Sequence, residues 1–301
     1  MRLDHDAGSH LKVAQPTKLF PLSRIAALAS FQLLGYAAAV NCKPPDQSAT
    51  PADQKPEKTI GHSNISSAEN LSKGRMTSRS VRSFVVRNGR MTPAQQRALD
   101  ELLPLYGVEY QSAPIETQKI FGRQAPLWVE TGFGNGDALL SMAQRYPEKN
   151  FLGIEVHAPG VGHLLQRIKT SEVDNIRVVR HDAVEVFDNM LAAESVERAL
   201  VFFPDPWPKK RHHKRRILQT DFVTVIENAL QPAGVIHCAT DWQEYAEWIL
   251  ELLQTRDRLK NLTAANQYAE RPDYRPATRF ENRGRRLGHD VFDLLFEKVA
   301  A

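Results

Sequence analysis

Five apolar segments of this chain each run into a single acidic residue, and they recur at intervals that leave room for a loop and a helix between them. Leu127-Trp128-Val129 precedes Glu130, Phe151 to Ile154 precedes Glu155, Ile176 to His181 precedes Asp182, Ala199 to Pro204 precedes Asp205, and Gly234 to Thr240 precedes Asp241. Amphipathic stretches at 137–146, 158–170, 184–193, 218–230 and 242–254 carry the helical period between them. Alternating strands and helices dictate a mostly parallel, doubly wound sheet with right-handed crossovers and helices on both faces. One carboxylate at a strand end is ordinarily a helix cap or a solvated loop residue. Five in register place a row of negative charge along one edge of a sheet, where open α/β folds carry their chemistry. The alternating tail Val291 to Val299 predicts one more strand, antiparallel, at the far edge.

The remainder of the 301 residues bounds the domain. Composition shifts near residue 75: residues 41–75 are rich in Pro, Ser, Lys, Asn and Asp, hold no aromatic side chain and show no apolar period, which reads as disorder. Residues 25–40 form a mainly apolar run after Lys12, Lys18 and Arg24 that resembles a signal-peptide core but is short for a membrane span. Residues 1–75 are therefore expected to be an appended tail or a start assigned too early rather than a targeting signal, with the working domain at 76–301. Cys42 and Cys238 are too few for a disulfide framework and lack metal-ligand spacing, so no metal is expected.

Charge is concentrated rather than general. From Met76 onward there are 30 Lys and Arg against 29 Asp and Glu, yet six of the cations lie within Lys209-Lys210-Arg211-His212-His213-Lys214-Arg215-Arg216. This run follows Phe203-Pro204-Asp205-Pro206-Trp207-Pro208 without a break. Proline fixes its own φ and restricts the residue before it, so Asp205 is expected on a stiff turn opening onto a positive ledge. A local positive field suits a phosphate backbone. Arg75 to Arg90 and Arg271 to Arg286 supply further arginines that could extend it. Trp207 could stack on a base or pack locally. His212 and His213 read as phosphate neighbours, because no acidic or Cys partner lies at ligand spacing.

Between the first strand and the first helix lies Glu130-Thr131-Gly132-Phe133-Gly134-Asn135-Gly136-Asp137. The dinucleotide fingerprint Gly-x-Gly-x-x-Gly would put glycine where Asp137 stands. A pyrophosphate would also be repelled by so acidic a rim. The spacing instead resembles the glycine motif of S-adenosylmethionine-dependent methyltransferases, a Rossmann-like class. With Gly153 to Gly162, the segment 203–216 and Thr278-Arg279-Phe280-Glu281 in the same order, the chain over roughly 85–300 resembles the bacterial tRNA (guanine-N7)-methyltransferases, the TrmB family.

That resemblance implies methyl transfer from S-adenosylmethionine to N7 of a guanosine in the variable loop of tRNA, conventionally number 46. It implies Glu130, Gly132, Gly134, Gly136, Glu155, Asp182 and Asp205 at the cofactor, with Asp205 catalytic. It further implies Lys209, Asp241, Thr278, Arg279, Phe280 and Glu281 at the substrate. Lys210, Arg211, Lys214, Arg215 and Arg216 would hold RNA phosphates. A cytoplasmic protein with no stable membrane association follows; oligomeric state does not. Thr131 departs from the pattern, since relatives usually carry an aliphatic residue there, and a hydroxyl at a buried strand end needs a partner. A methyltransferase of another substrate and a non-catalytic RNA-binding module are the competing readings; the first leaves the basic run unexplained, and binding of the cofactor separates the second.

Overall fold

The computed structural model describes residues 83–84, 90–278, 281–282, 288 and 290–300. The extension 1–75 lies outside the described residues, as do Arg279 and Phe280. Strands β1 (Leu127–Thr131), β2 (Asn150–Ile154) and β3 (Ile176–Val179) are buried along their whole length, as continuous apolar strands covered on both faces should be. With β4 (Val196–Phe202), β5 (Leu230–Thr240), β6 (Leu259–Asn261) and β7 (Phe292–Lys298) they form one sheet of order β3-β2-β1-β4-β5-β7-β6. β1 to β5 pair in parallel, and β7 runs antiparallel to β5. The C-terminal strand is thus antiparallel as expected, while the outermost place falls to β6, three residues too short to leave an alternating signature.

Helices follow where the apolar period predicts them. They are α3 (Asp137–Arg145), α4 (Ala158–Ser171), α5 (Ala183–Glu185, running on into a π turn at Val186–Met190), α6 (Thr220–Ala229) and α7 (Gln243–Gln254). Two helices were not foreseen: α1 (Pro93–Tyr106) and α2 (Thr117–Phe121). The start of α1 is written locally, for Thr92 and Gln95 exchange a capping box around Pro93. It buries Ala98, Leu99 and Leu102 in the same core as Val161, Leu164 and Ile168 of α4. Gly162 permits the close approach, since a Cβ there would lie 2.7 Å from the Gln95 carbonyl oxygen.

Two apolar cores lie on opposite faces of the sheet, sorted by strand alternation. Leu127, Val129, Leu152, Ile154 and Val201 face one; Trp128, Phe151, Val178 and Leu200 face the other. The order of strands reverses at β1, which has β2 on one side and β4 on the other. That reversal opens a crevice above the carboxyl ends of β1 and β4.

Candidate active site

A cavity of about 230 Å³ occupies that crevice. Its wall is contributed by Thr131 and Gly132 at the end of β1, Ile154 to Val156 at the end of β2, His181 to Ala183 beyond β3, and Val201 to Asp205 at and beyond the end of β4. The structure therefore brings Gly132, Glu155, Asp182 and Asp205 together around one space. It also brings residues that sequence reasoning missed. Ile217 and His181 adjoin motifs already singled out, while Ser83 and Phe84 gave no signal.

The glycine loop is shaped by steric necessity. Gly132, Gly134 and Gly136 have φ of 70°, 58° and 76°, the left-handed region in which a Cβ is strained. A Cβ on Gly160, in the first turn of α4, would come within 2.2 Å of the Gly134 carbonyl oxygen. Asp137, whose presence excluded the dinucleotide pattern, opens α3 and pairs with Arg167 of α4.

The carboxylates divide by role. Glu155 clamps the loop: one oxygen accepts from Gly134 N at 2.9 Å, the other from Val156 N and His157 N at 2.8 and 2.9 Å. Asp182 caps the next helix, accepting from Val184 N at 3.0 Å. Glu130 alternates onto the opposite sheet face, off the cavity wall, and is 3% exposed. Burial, and then the nearby charge of Glu155, push its carboxyl up to about 8. Glu130 Oε2 and Thr131 Oγ1 are buried with no hydrogen-bond partner among the described residues; Thr131 lines the cavity, and Glu130 lies behind its wall.

Asp205 is exposed on the rim, within a backbone held out of its relaxed form. Phe203 and Trp207 have φ of 50° and 45°, each just before a proline, and such conformations cost about 1–3 kcal/mol each. Strain of this kind is maintained only where surrounding contacts over-determine it. The basic run continues as a 3₁₀ helix, Lys210–Arg215, with Lys209, Lys210, Arg211 and Lys214 exposed. Slight desolvation and four neighbouring cations depress the His212 imidazole. Trp207 packs rather than offering a free face: Arg215 sits 5.0 Å above its ring and His212 meets it edge-on at 5.9 Å.

Two expectations are corrected. Arg216 cannot hold a phosphate, because its side chain is fully buried between Tyr245 and Trp248 and bonded to Pro206 O and Glu244. Glu281 is not a free acceptor for a base, for it is equally buried and its oxygens receive Arg275 at 2.6 Å and Arg271 at 3.3 Å. Arg275 also forks onto Asp293 of β7 at 2.6 and 2.7 Å, and its guanidinium lies 5.7 Å from the Phe203 ring. Asp293 in turn meets His237, which meets the Tyr274 hydroxyl at 2.8 Å. Thr278 caps the turn containing Glu281, accepting from Glu281 N at 3.1 Å. Asp241, half-buried at the end of β5, and Lys209 do not line the cavity.

The sheet order, the glycine loop and the row of carboxylates define a class I S-adenosylmethionine-dependent methyltransferase. Residues 124–294 match the family described as "Putative methyltransferase". An rRNA methylase structure from Streptococcus thermophilus is similar at 13% identity and a TM-score of 0.40, covering 58% of this chain and 88% of that one. The tRNA (guanine-N(7)-)-methyltransferase of Aromatoleum aromaticum is 54% identical over 74% of this chain and 86% of its own length. That of Methylobacillus flagellatus is 50% identical over 76% of this chain and 96% of its own. The chain belongs to the tRNA (guanine-N(7)-)-methyltransferase family, whose methyl donor is S-adenosylmethionine. The wall suits that donor: Glu155 and Asp182 for hydroxyls and amines, Ile154, Val156, Ala183 and Ile217 for an apolar ring, and Thr131, whose hydroxyl has no partner among the described residues.

Proposed function

We propose that this chain methylates N7 of a guanosine at position 46, in the variable loop of tRNA, with Asp205 orienting the base against the methyl donor. The observation that carries the reading is Asp205 itself: a carboxylate on a strained, proline-flanked turn, where the cavity meets four exposed cations. Bound in the cavity, S-adenosylmethionine supplies an electrophilic methyl group. Guanine N7 carries an in-plane lone pair, so no residue of the chain has to remove a proton from it first. The protein's part is positioning, together with charge complementary to the cationic product base.

Glu155 and Asp182 serve the donor's hydroxyl and amine groups, and the Glu130–Thr131 pair serves its amino-acid end. Lys209, Lys210, Arg211 and Lys214 hold phosphates and set register without reading sequence. Thr278, Arg279, Phe280 and, from the end of β5, Asp241 hold the guanosine, while Glu281, bonded to Arg275 and Arg271, anchors the turn that Thr278 caps. A cytoplasmic location suits an enzyme of tRNA, and no described helix is long and apolar enough to cross a membrane. The test combines labelled donor with unmodified tRNA and maps the methylated nucleotide. A product at N7 of position 46, abolished in Asp205→Ala, supports the reading; Asp205→Ala with wild-type turnover ends the role given to that carboxylate.

A further inference from the structure

Prolines at 204, 206 and 208 leave the turn around Asp205 short of backbone N–H donors, so the turn has to be held through its carbonyl groups. One is held from below. Arg216 Nε–H donates to the Pro206 carbonyl at 2.9 Å, while Nη2 donates to Glu244 of α7 at 3.1 Å and approaches His213 Nε2 at 3.2 Å. The guanidinium carbon lies 4.8 Å from the centre of the Tyr245 ring and 5.2 Å from that of Trp248. The peptide unit it grips joins Asp205's neighbour to Trp207, whose φ of 45° would otherwise relax. At the other end of the turn, Phe203 N–H donates to the Ala239 carbonyl at 2.7 Å. The guanidinium reaches the carbonyl and the carboxylate from two separate nitrogens held in one plane, whereas an ammonium offers all its donors from a single atom.

We propose that Arg216 is a positioning residue for methyl transfer, pinning the Pro206 carbonyl to α7 so that Asp205 is presented at the cavity rim. The proposal rests on the role given to Asp205 above. It sets Arg216 apart from the exposed cations preceding it in the same run.

The test uses the full chain with Arg216→Met, Arg216→Lys and Asp205→Ala. Arg216→Met is expected to lower kcat by about 100-fold, the effect of misplacing a reacting group by ångströms. Calorimetry with S-adenosylhomocysteine should return a wild-type Kd, and the salt dependence of tRNA binding should be unchanged. Arg216→Lys retains the charge facing Glu244 and recovers part of kcat. Wild-type kcat in Arg216→Met overturns the proposal, as does a salt slope shallower by about one unit with kcat intact, the signature of a lost phosphate contact. Should Arg216→Met fail to fold, Arg216→Lys decides alone, and wild-type kcat in it is the overturning result. An inactive Asp205→Ala beside a fully active Arg216→Met removes only this proposal; a fully active Asp205→Ala removes both.

Discussion

Glu130 has consequences that can be read from pH alone. Burial raises its carboxyl from an ordinary 4.5 to about 8. Between those values the folded chain retains a proton that the unfolded chain has released, so stability falls as pH rises through the window, and the loss is complete above about 8. Glu130→Gln removes the linkage. Its urea midpoint should match wild type near the acid end of the window and exceed it progressively towards the alkaline end. Arg275 presents the reverse case, a buried cation already paired. Burial raises the Asp293 carboxyl, but bonds from His237 and Arg275 outweigh it and hold the group below its ordinary value. Removing the cation in Arg275→Met strips two buried carboxylates of their shared guanidinium, leaving His237 beside Asp293 and Arg271 beside Glu281, at a cost of about 3–5 kcal/mol measurable by denaturant unfolding.

Among the elements, the glycine loop and α4 form one interlocked unit, because Gly160 has backbone rather than a flexible side chain against it. Gly160→Ala should push the Gly134 carbonyl outward and weaken S-adenosylhomocysteine binding by about tenfold or more, read by calorimetry. This unit was legible in the sequence, since glycine spacing, a strand before it and a helical period after it are all local. The strand ends were legible for the same reason. Arg216 was not: it stands in a run of cations that look alike, and its burial is decided by Glu244, Tyr245 and Trp248 on a helix about thirty residues on. Glu281 was misread likewise, because its fate depends on Arg275 and, through it, on a strand still further along. α1 left a capping box that could have been found; β6 left nothing.

At the scale of the whole molecule, four exposed cations, Lys209, Lys210, Arg211 and Lys214, lie in the run that follows Asp205 on the cavity rim, so tRNA affinity should fall steeply with salt. Charge reversal at Lys209, Lys210 and Lys214 together should flatten the plot of log affinity against log salt by about 0.9 per lost phosphate contact, leaving cofactor affinity intact. Relatives are covered almost end to end by about three quarters of this chain. A chain lacking residues 1–75 is therefore expected to bind the donor and methylate tRNA at the wild-type rate, measured with the same labelled-donor assay. The placement of β7 has a bearing on biosynthesis. Asp293, the mooring for Arg275, is delivered by the strand that enters the sheet last in chain order, between β5 and β6. A nascent polypeptide that has left the ribosome only as far as Asn282 therefore carries every residue that lines the cavity, together with the segment proposed to hold the guanosine, but not yet the carboxylate that moors that segment's Arg275.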